Sequence, residues 1–364
     1  MSEDIRKQLH SLFSELEFID ENGDWIFSPS YEQISTLIKN NIPDKLYRYR
    51  RFDNDNLNVN ALVNDQIWLS TPDKMNDVFD GTLLIDKDMI LKAYDEYIFF
   101  SNEGIKNHPA KDIKMNMGTS ENPILMSLSD VTHKYNSDKK FKKYMDDFYV
   151  KFRELILVDD LYNIITTDYL NLMRDKRRIA CFSETIKSNR MWGYYSDYHT
   201  GFALAYDFRK QDIICPEKHN ICFNSWLKYP LFPIIYEQSS SLGNNFLISY
   251  IMRTFNESVL KRRINADHFY DWLYSIGSFL YKNKDWEHEK EWRLLSKIED
   301  GKFGKSISSF DYIYCRPCAI YCGYRISNEN RENLIKIARE KSIEIYDMEI
   351  DPRNNELYPQ KIQI

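Results

Sequence analysis

Trp286-Glu287-His288-Glu289-Lys290-Glu291-Trp292-Arg293-Leu294-Leu295 sets three carboxylates at every second position and runs directly into an apolar stretch. If the segment is extended, side chains two apart share a face, and Glu287, Glu289, Glu291 and Arg293 point the same way. Like charges placed side by side repel, and a chain rarely gathers them next to a strand without a use for them. Two interpretations follow. In one, this is a solvated edge strand with Lys290 and Arg293 as partners for the acids. In the other, it is a Glu-x-Glu element whose carboxylates handle a sugar hydroxyl or a developing positive charge. The rest of the chain decides between them.

Working outward, 364 residues give room for one large domain or two smaller ones with ample core. The 43% hydrophobic and 29% charged content is that of an ordinary globular protein, and 26 Tyr and 21 Phe against only 11 Gly and 11 Pro exclude a disordered or fibrous chain. A net charge of −6, from 49 basic and 55 acidic residues, argues against a general polyanion-binding surface. The six cysteines are scattered between Cys181 and Cys322, no secretory signal precedes them, and no apolar run has the length of a membrane span. A cytoplasmic protein with reduced thiols and no membrane association is the expectation.

Ile5, Leu9, Leu12, Phe13 and Leu16 form a helical stripe, and a second short helix follows Ser28-Pro29-Ser30. Leu46–Arg50 and Gln66–Ser70 alternate as strands, separated by a short helix through Leu57 and Leu62. Residues 87–175 look helical. Ile179–Ser183, Gly201–Tyr206, 233–237 and 292–297 look like strands, with helices at about 244–264 and 266–282 between the last two. A strand near 312–321, a helix near 328–341 and a strand at Ile343–Tyr346 close the chain. This pattern predicts a single α+β domain over 1–364 with a mixed or antiparallel sheet. N-terminal helices (about 1–40) and a helical insertion (about 87–175) surround core segments 46–86 and 179–322, followed by strand–helix–strand over 312–364.

Four constellations stand out. Tyr47-Arg48-Tyr49-Arg50 sets guanidinium forks, which match phosphate geometry, beside phenols; its structural alternative is an exposed edge strand. Ser70 with Asn76, Asp77 and Asp80 offers short polar groups at a strand end, where such residues also shape turns. Arg190 to Gly201 is the densest aromatic and polar cluster: Trp192 and Tyr195 suit a planar ring, whereas a lone His199 more often has a structural role. Cys315, Cys318 and Cys322 have metal-like spacing but no second half-site, so no metal is expected. No glycine-rich dinucleotide motif, phosphate-binding loop, zinc-protease motif or nucleophile elbow is present.

The chain resembles a large bacterial family catalogued as domain of unknown function 2971. The matching pieces are Leu46–Arg50, Ile67–Ser70 with Asn76-Asp77 and Phe79-Asp80, Cys181–Ser183, Met191-Trp192-Gly193 to Tyr206, and Trp286-x-x-Glu289-x-Glu291-x-Arg293. Val78 replaces the Pro usual after Asn-Asp. That family brings no settled activity.

The order basic strand, Ser-bearing strand, Glu-x-Glu is also similar to ADP-ribosyltransferases. That resemblance implies a sheet core of that type and NAD as substrate. It implies phosphate binding by Arg48 or Arg50 beside Tyr47 and Tyr49, and a supporting hydroxyl from Ser183 (or Ser70). Glu291 would be catalytic, Glu289 would orient the acceptor, and Trp192 or Tyr195 would stack on nicotinamide. Asn76, Asp77, His199 and Arg293 complete the expected binding set. The acceptor, protein or nucleic acid, is open, as is hydrolysis by water, and so is a regulatory protein partner. A toxin or phage-defence role is the setting such activities have in bacteria. Two alternatives remain: a non-enzymatic binding or sensor module, and a metal-dependent nuclease using Glu289, Glu291, Asp77 and Asp80.

Overall fold

The computed structural model describes residues 4–14, 31–77, 79–81, 84, 86, 88, 114–116, 125–144, 146–147, 150, 177–210, 231–237, 277–297 and 312–364. The expected helices at 244–264 and 266–282 and most of the 87–175 insertion lie outside these residues. Within the insertion, strands β3 (Lys114–Asn116) and β4 (Leu125–Ser127) pair with each other, and a helix, Leu128–Ser137, follows. Ser127 and Asp130 begin that helix with a reciprocal capping box.

The framework is an eight-stranded sheet. Its strands are β1 (Leu46–Arg50), β5 (Arg177–Ser183), β6 (Phe202–Tyr206), β7 (Leu231–Pro233), β8 (Glu291–Lys297), β10 (Ala319–Cys322), β11 (Glu344–Asp351) and β12 (Glu356–Lys361). Their spatial order is β12-β11-β10-β6-β1-β5-β8-β7. Every pairing is antiparallel except β10 with β11. Parallel neighbours need a crossover, and the helix Asn328–Lys341 supplies it between a Ser327 cap and a left-handed Ser342. The architecture is therefore α+β with a mostly antiparallel sheet, as the alternation of the sequence predicts. β2 (Gln66–Trp68) pairs separately with β9 (Tyr312–Tyr314), so the single strand expected near 312–321 is two.

Both faces of the central strands are covered. On β6, Phe202, Leu204 and Tyr206 join the larger core together with Leu9, Phe13, Ile34 and Ile38 of the N-terminal helices. Ala203 and Ala205 point to the opposite face, where Trp192 and Tyr49 pack. Small residues on one side and large on the other let a bulky indole lie against the sheet; this is why β6 reads as an unbroken apolar run. Trp192 belongs to a seven-residue helix, Asn189–Tyr195, capped by the Ser188 hydroxyl. The sequence marks this stretch only as an aromatic and polar cluster and does not predict the helix.

Candidate functional site

The site begins as a break in the sheet. β1 pairs with β6 at five consecutive positions, but with β5 only at Tyr47↔Ser183. Beyond that rung β5 turns to another partner: Ile179 and Ser70 exchange two main-chain hydrogen bonds of 2.8 Å. A cleft with a free volume of about 180 Å³ results at the middle of the sheet. Tyr47–Arg50 line it from β1, Cys181–Ser183 from β5, Ser70 and Lys74–Asn76 from the segment after β2, and Met191 and Tyr195 from the short helix. Lys282, Glu289 and Glu291 complete it.

The two glutamates do not converge through strand alternation. Residues Lys284–Glu289 form a 3₁₀ helix, Lys290 sits in the left-handed region (φ 44°), and β8 starts only at Glu291. Glu287 accordingly ends up exposed, outside the cleft. The turn is tied to β5: the Ser183 hydroxyl donates to Glu289 O (2.6 Å), and the Glu184 amide donates to Lys290 O (3.1 Å). The Tyr236 hydroxyl accepts from the Glu291 amide (2.6 Å).

Around this turn lies a buried ionic network. Lys282 Nζ donates to Glu289 Oε2 (2.6 Å) and Glu291 Oε2 (3.2 Å), and stands 4.7 Å from the Trp286 ring centroid. Arg293 is fully buried and all five of its N–H groups are used. Two go to Glu291, two to Asp80 (2.5 Å each) and one to Phe279 O (2.9 Å). Gly81 (φ 75°) allows this approach, since a Cβ there would meet the Phe279 ring at 2.6 Å. The Tyr195 hydroxyl donates to Glu289 Oε1 (2.5 Å) and accepts from Asn76 Nδ2 (2.5 Å). Three carboxylates against two cations leave the cluster at −1 when all are ionised.

The environments of the two glutamates drive their acidities apart. Burial and then the Glu291 charge push Glu289 upward, more strongly than Lys282 and Tyr195 pull it down. Burial also disfavours the Glu291 charge, but Arg293 and Lys282 outweigh it and hold that carboxyl at about 2. Burial and the Glu291 charge keep Cys181 a thiol.

These shifts predict a particular acid response. Glu291, ordinarily near 4.5 and here about 2, contributes stability that is present above 4.5 and lost as pH falls toward 2. Glu289, raised, acts oppositely: its contribution is present below its ordinary value and lost as pH rises through its raised one. Urea titrations through the acid range should show wild type losing stability faster than Glu291→Gln, by on the order of 3 kcal/mol in total. Equal slopes would contradict the assignment.

Most of the residues expected at the site meet in the cleft: Tyr47, Arg48, Tyr49, Arg50, Ser70, Asn76, Ser183, Tyr195, Glu289 and Glu291. Several have roles other than those expected. Trp192 is fully buried, donates its Nε1–H to Ile186 O (2.7 Å) and packs edge-on to Tyr49, so it is a core residue and no stacking platform. Arg293 lies behind Glu291, where it anchors the carboxylate. Asp77 Oδ1 accepts from the Phe79 amide (3.0 Å), shaping the turn that presents Asp80. Ser183 reaches the cleft with its hydroxyl committed to Glu289 O. His199 lines a different cavity. Lys282 and Cys181 were not singled out; a buried carboxylate pair requires cations, which was the only available hint of Lys282.

Arg48 lines the cleft without a carboxylate partner among the described residues. It is buried, Nη2 donates to Trp68 O (2.5 Å), and Nε has no partner among the described residues. Burial lowers its pKa, and the groups opposing that are Tyr206 and Cys181, neither of them a carboxylate. The nuclease alternative meets an obstacle here. The oxygens of Glu289, Glu291 and Asp80 already accept hydrogen bonds from Lys282, Arg293 and Tyr195, and of the four acids only Asp77 keeps an unpartnered oxygen, Oδ2, among the described residues.

Fold and site together define a mostly antiparallel α+β protein with a charged cleft at a break in its sheet. Residues 191–294 match a family model described as "Protein of unknown function (DUF2971)", which bears out the resemblance to that family. The matched stretch carries Tyr195, Lys282, Glu289, Glu291 and Arg293. No curated protein and no solved structure matched the chain. No helix among the described residues is long and apolar enough to cross a membrane.

Proposed function

We propose that the cleft is the active site of an NAD-consuming enzyme, which breaks the nicotinamide–ribose bond and passes ADP-ribose to a macromolecule or to water. The observation that carries this reading is the pair Glu289 and Glu291, side by side with acidities displaced in opposite directions. Paired carboxylates separated in this way can divide two tasks, one staying charged and the other exchanging a proton.

Nicotinamide leaves with the bonding electrons as a neutral molecule, so little acid catalysis is needed. The ribose becomes cation-like, and Glu291, anionic across the working pH range, stabilises it electrostatically. Lys282 and Arg293 fix the carboxylate's position while offsetting part of its charge. The acceptor's O–H then adds to the ribose carbon and gives its proton to Glu289, which Tyr195 and Lys282 hold in place. Arg48, lacking a carboxylate partner, and Arg50 beside it suit the pyrophosphate. Depleting NAD or modifying a macromolecule fits a toxin or phage-defence effector.

Purified protein and Glu291→Gln, each incubated with NAD labelled in the nicotinamide ring, test this reading. Nicotinamide release by wild type should fall about 10²–10³-fold in the variant, the loss typical of removing one preorganised electrostatic group. Absence of both release and NAD binding, with water, protein and nucleic acid as acceptors, would overturn it in favour of a binding module.

A further inference from the structure

A second cavity, of about 500 Å³, shares no lining residue with the first. Lys187, His199, Tyr324 and Arg325 line it together with Asn355 and Glu356 from the β11–β12 hairpin. The loop that delivers His199 is strained. Asp197, Tyr198 and His199 are consecutive left-handed residues (φ 49°, 52° and 73°), a conformation that costs roughly 1–2 kcal/mol per residue for L-amino acids. Such strain persists only when the surroundings enforce it, and it concentrates at functional positions.

The enforcement is visible. The Tyr198 and His199 amides donate to Gly193 O and Trp192 O, both at 3.2 Å, and the Arg325 amide donates to His199 O (3.0 Å). Gly323 packs so closely that a Cβ on it would stand 2.2 Å from His199 O. These contacts hold the imidazole parallel to the Trp192 ring (14°, centroids 6.2 Å apart), with Nδ1 buried and unpartnered. Burial and then Arg325 lower the His199 pKa, which favours the neutral ring. Nδ1 is sealed from the groove, so only the remaining edge of the ring is presented to it.

We propose that this groove binds a nucleoside monophosphate. Lys187 and Arg325 supply the charge for a phosphate, and Tyr324 offers a ring face to a base. The groove-facing edge of the His199 ring and the amide of Asn355 stand where base edges would lie, and Glu356 accepts from ribose hydroxyls. Inorganic phosphate alone would leave the aromatic and amide lining unused. The groove is separate from the proposed NAD cleft and does not depend on that reading.

Equilibrium dialysis with AMP, GMP, CMP and UMP tests it, using wild type, the double variant Lys187→Ala/Arg325→Ala and the cleft variant Arg50→Ala. At least one nucleotide should bind wild type and Arg50→Ala alike, and the double variant at least about tenfold more weakly with its melting temperature preserved. His199→Phe, which keeps the stacked ring but removes its polar groove-facing edge, should weaken binding without preventing folding. The proposal is overturned if no nucleotide binds at about 1 mM, or if Arg50→Ala rather than the double variant abolishes binding. It is equally overturned if inorganic phosphate or poly-glutamate competes as well as the nucleotide does.

Discussion

Replacing Arg293 with Leu should lower the free energy of unfolding by about 3–5 kcal/mol, the cost of removing one partner from a buried ionic network. The guanidinium has no solvent exposure and all five donors are engaged, so its loss leaves Asp80 and Glu291 charged, buried and short of partners. Their attraction to Arg293 offsets a desolvation penalty that remains once the cation is gone. Arg293→Lys keeps the charge but cannot serve two carboxylates and a carbonyl with one ammonium group, so an intermediate loss is expected. Urea denaturation of both variants is the measurement. A loss below about 1 kcal/mol for Arg293→Leu would mean that the network is worth no more than a surface ion pair.

The second large effect is kinetic. Glu289→Gln should reduce NAD turnover by about 10²–10⁴-fold, the usual contribution of a positioned general base. Stability should fall only modestly, because the substitution gives up the Lys282 bond to the second oxygen but also removes a like charge beside Glu291, and the amide oxygen still accepts from Tyr195. The pH profile gives the sharper readout. A base with a raised pKa makes the wild-type rate climb with pH through a limb above the ordinary carboxylate range, and that limb should vanish in the variant. Turnover within about threefold of wild type, with the limb intact, would remove Glu289 from proton transfer.

The strands were legible because alternation and apolar runs mark them: Leu46–Arg50, Arg177–Ser183, Phe202–Tyr206 and Glu291–Lys297. The helix Asn328–Lys341 was legible through its length and periodic apolar positions. Where local geometry departs from those periods, the sequence misleads. Glu287, Glu289 and Glu291 look like one face of a strand, but the left-handed Lys290 joins a 3₁₀ turn to β8 and turns Glu287 out. The seven-residue helix Asn189–Tyr195 is too short to display a period and contains Gly193. β12 holds Pro359, which suits only an edge, and it went unread. The site residues drawn from short motifs did gather in one cleft, whereas the role of each (anchor, core or pocket lining) depended on contacts between residues as far apart in sequence as Asp80 and Arg293.

The single rung between β1 and β5 has one more consequence. Past Tyr47, β1 has a ladder partner on the β6 side only, so half of its main-chain donors and acceptors face an opening in the interior of the sheet. Elsewhere such unpaired groups occur at the rim, where they invite another chain. Here the vacancy is walled in, and what enters it can be read by peptide groups as well as by side chains. Main-chain recognition has no genetic handle: alanine scanning along Tyr47–Arg50 would leave those contacts untouched. Affinity that survives such a scan would therefore be the signature of a strand completing its own ladder with a guest.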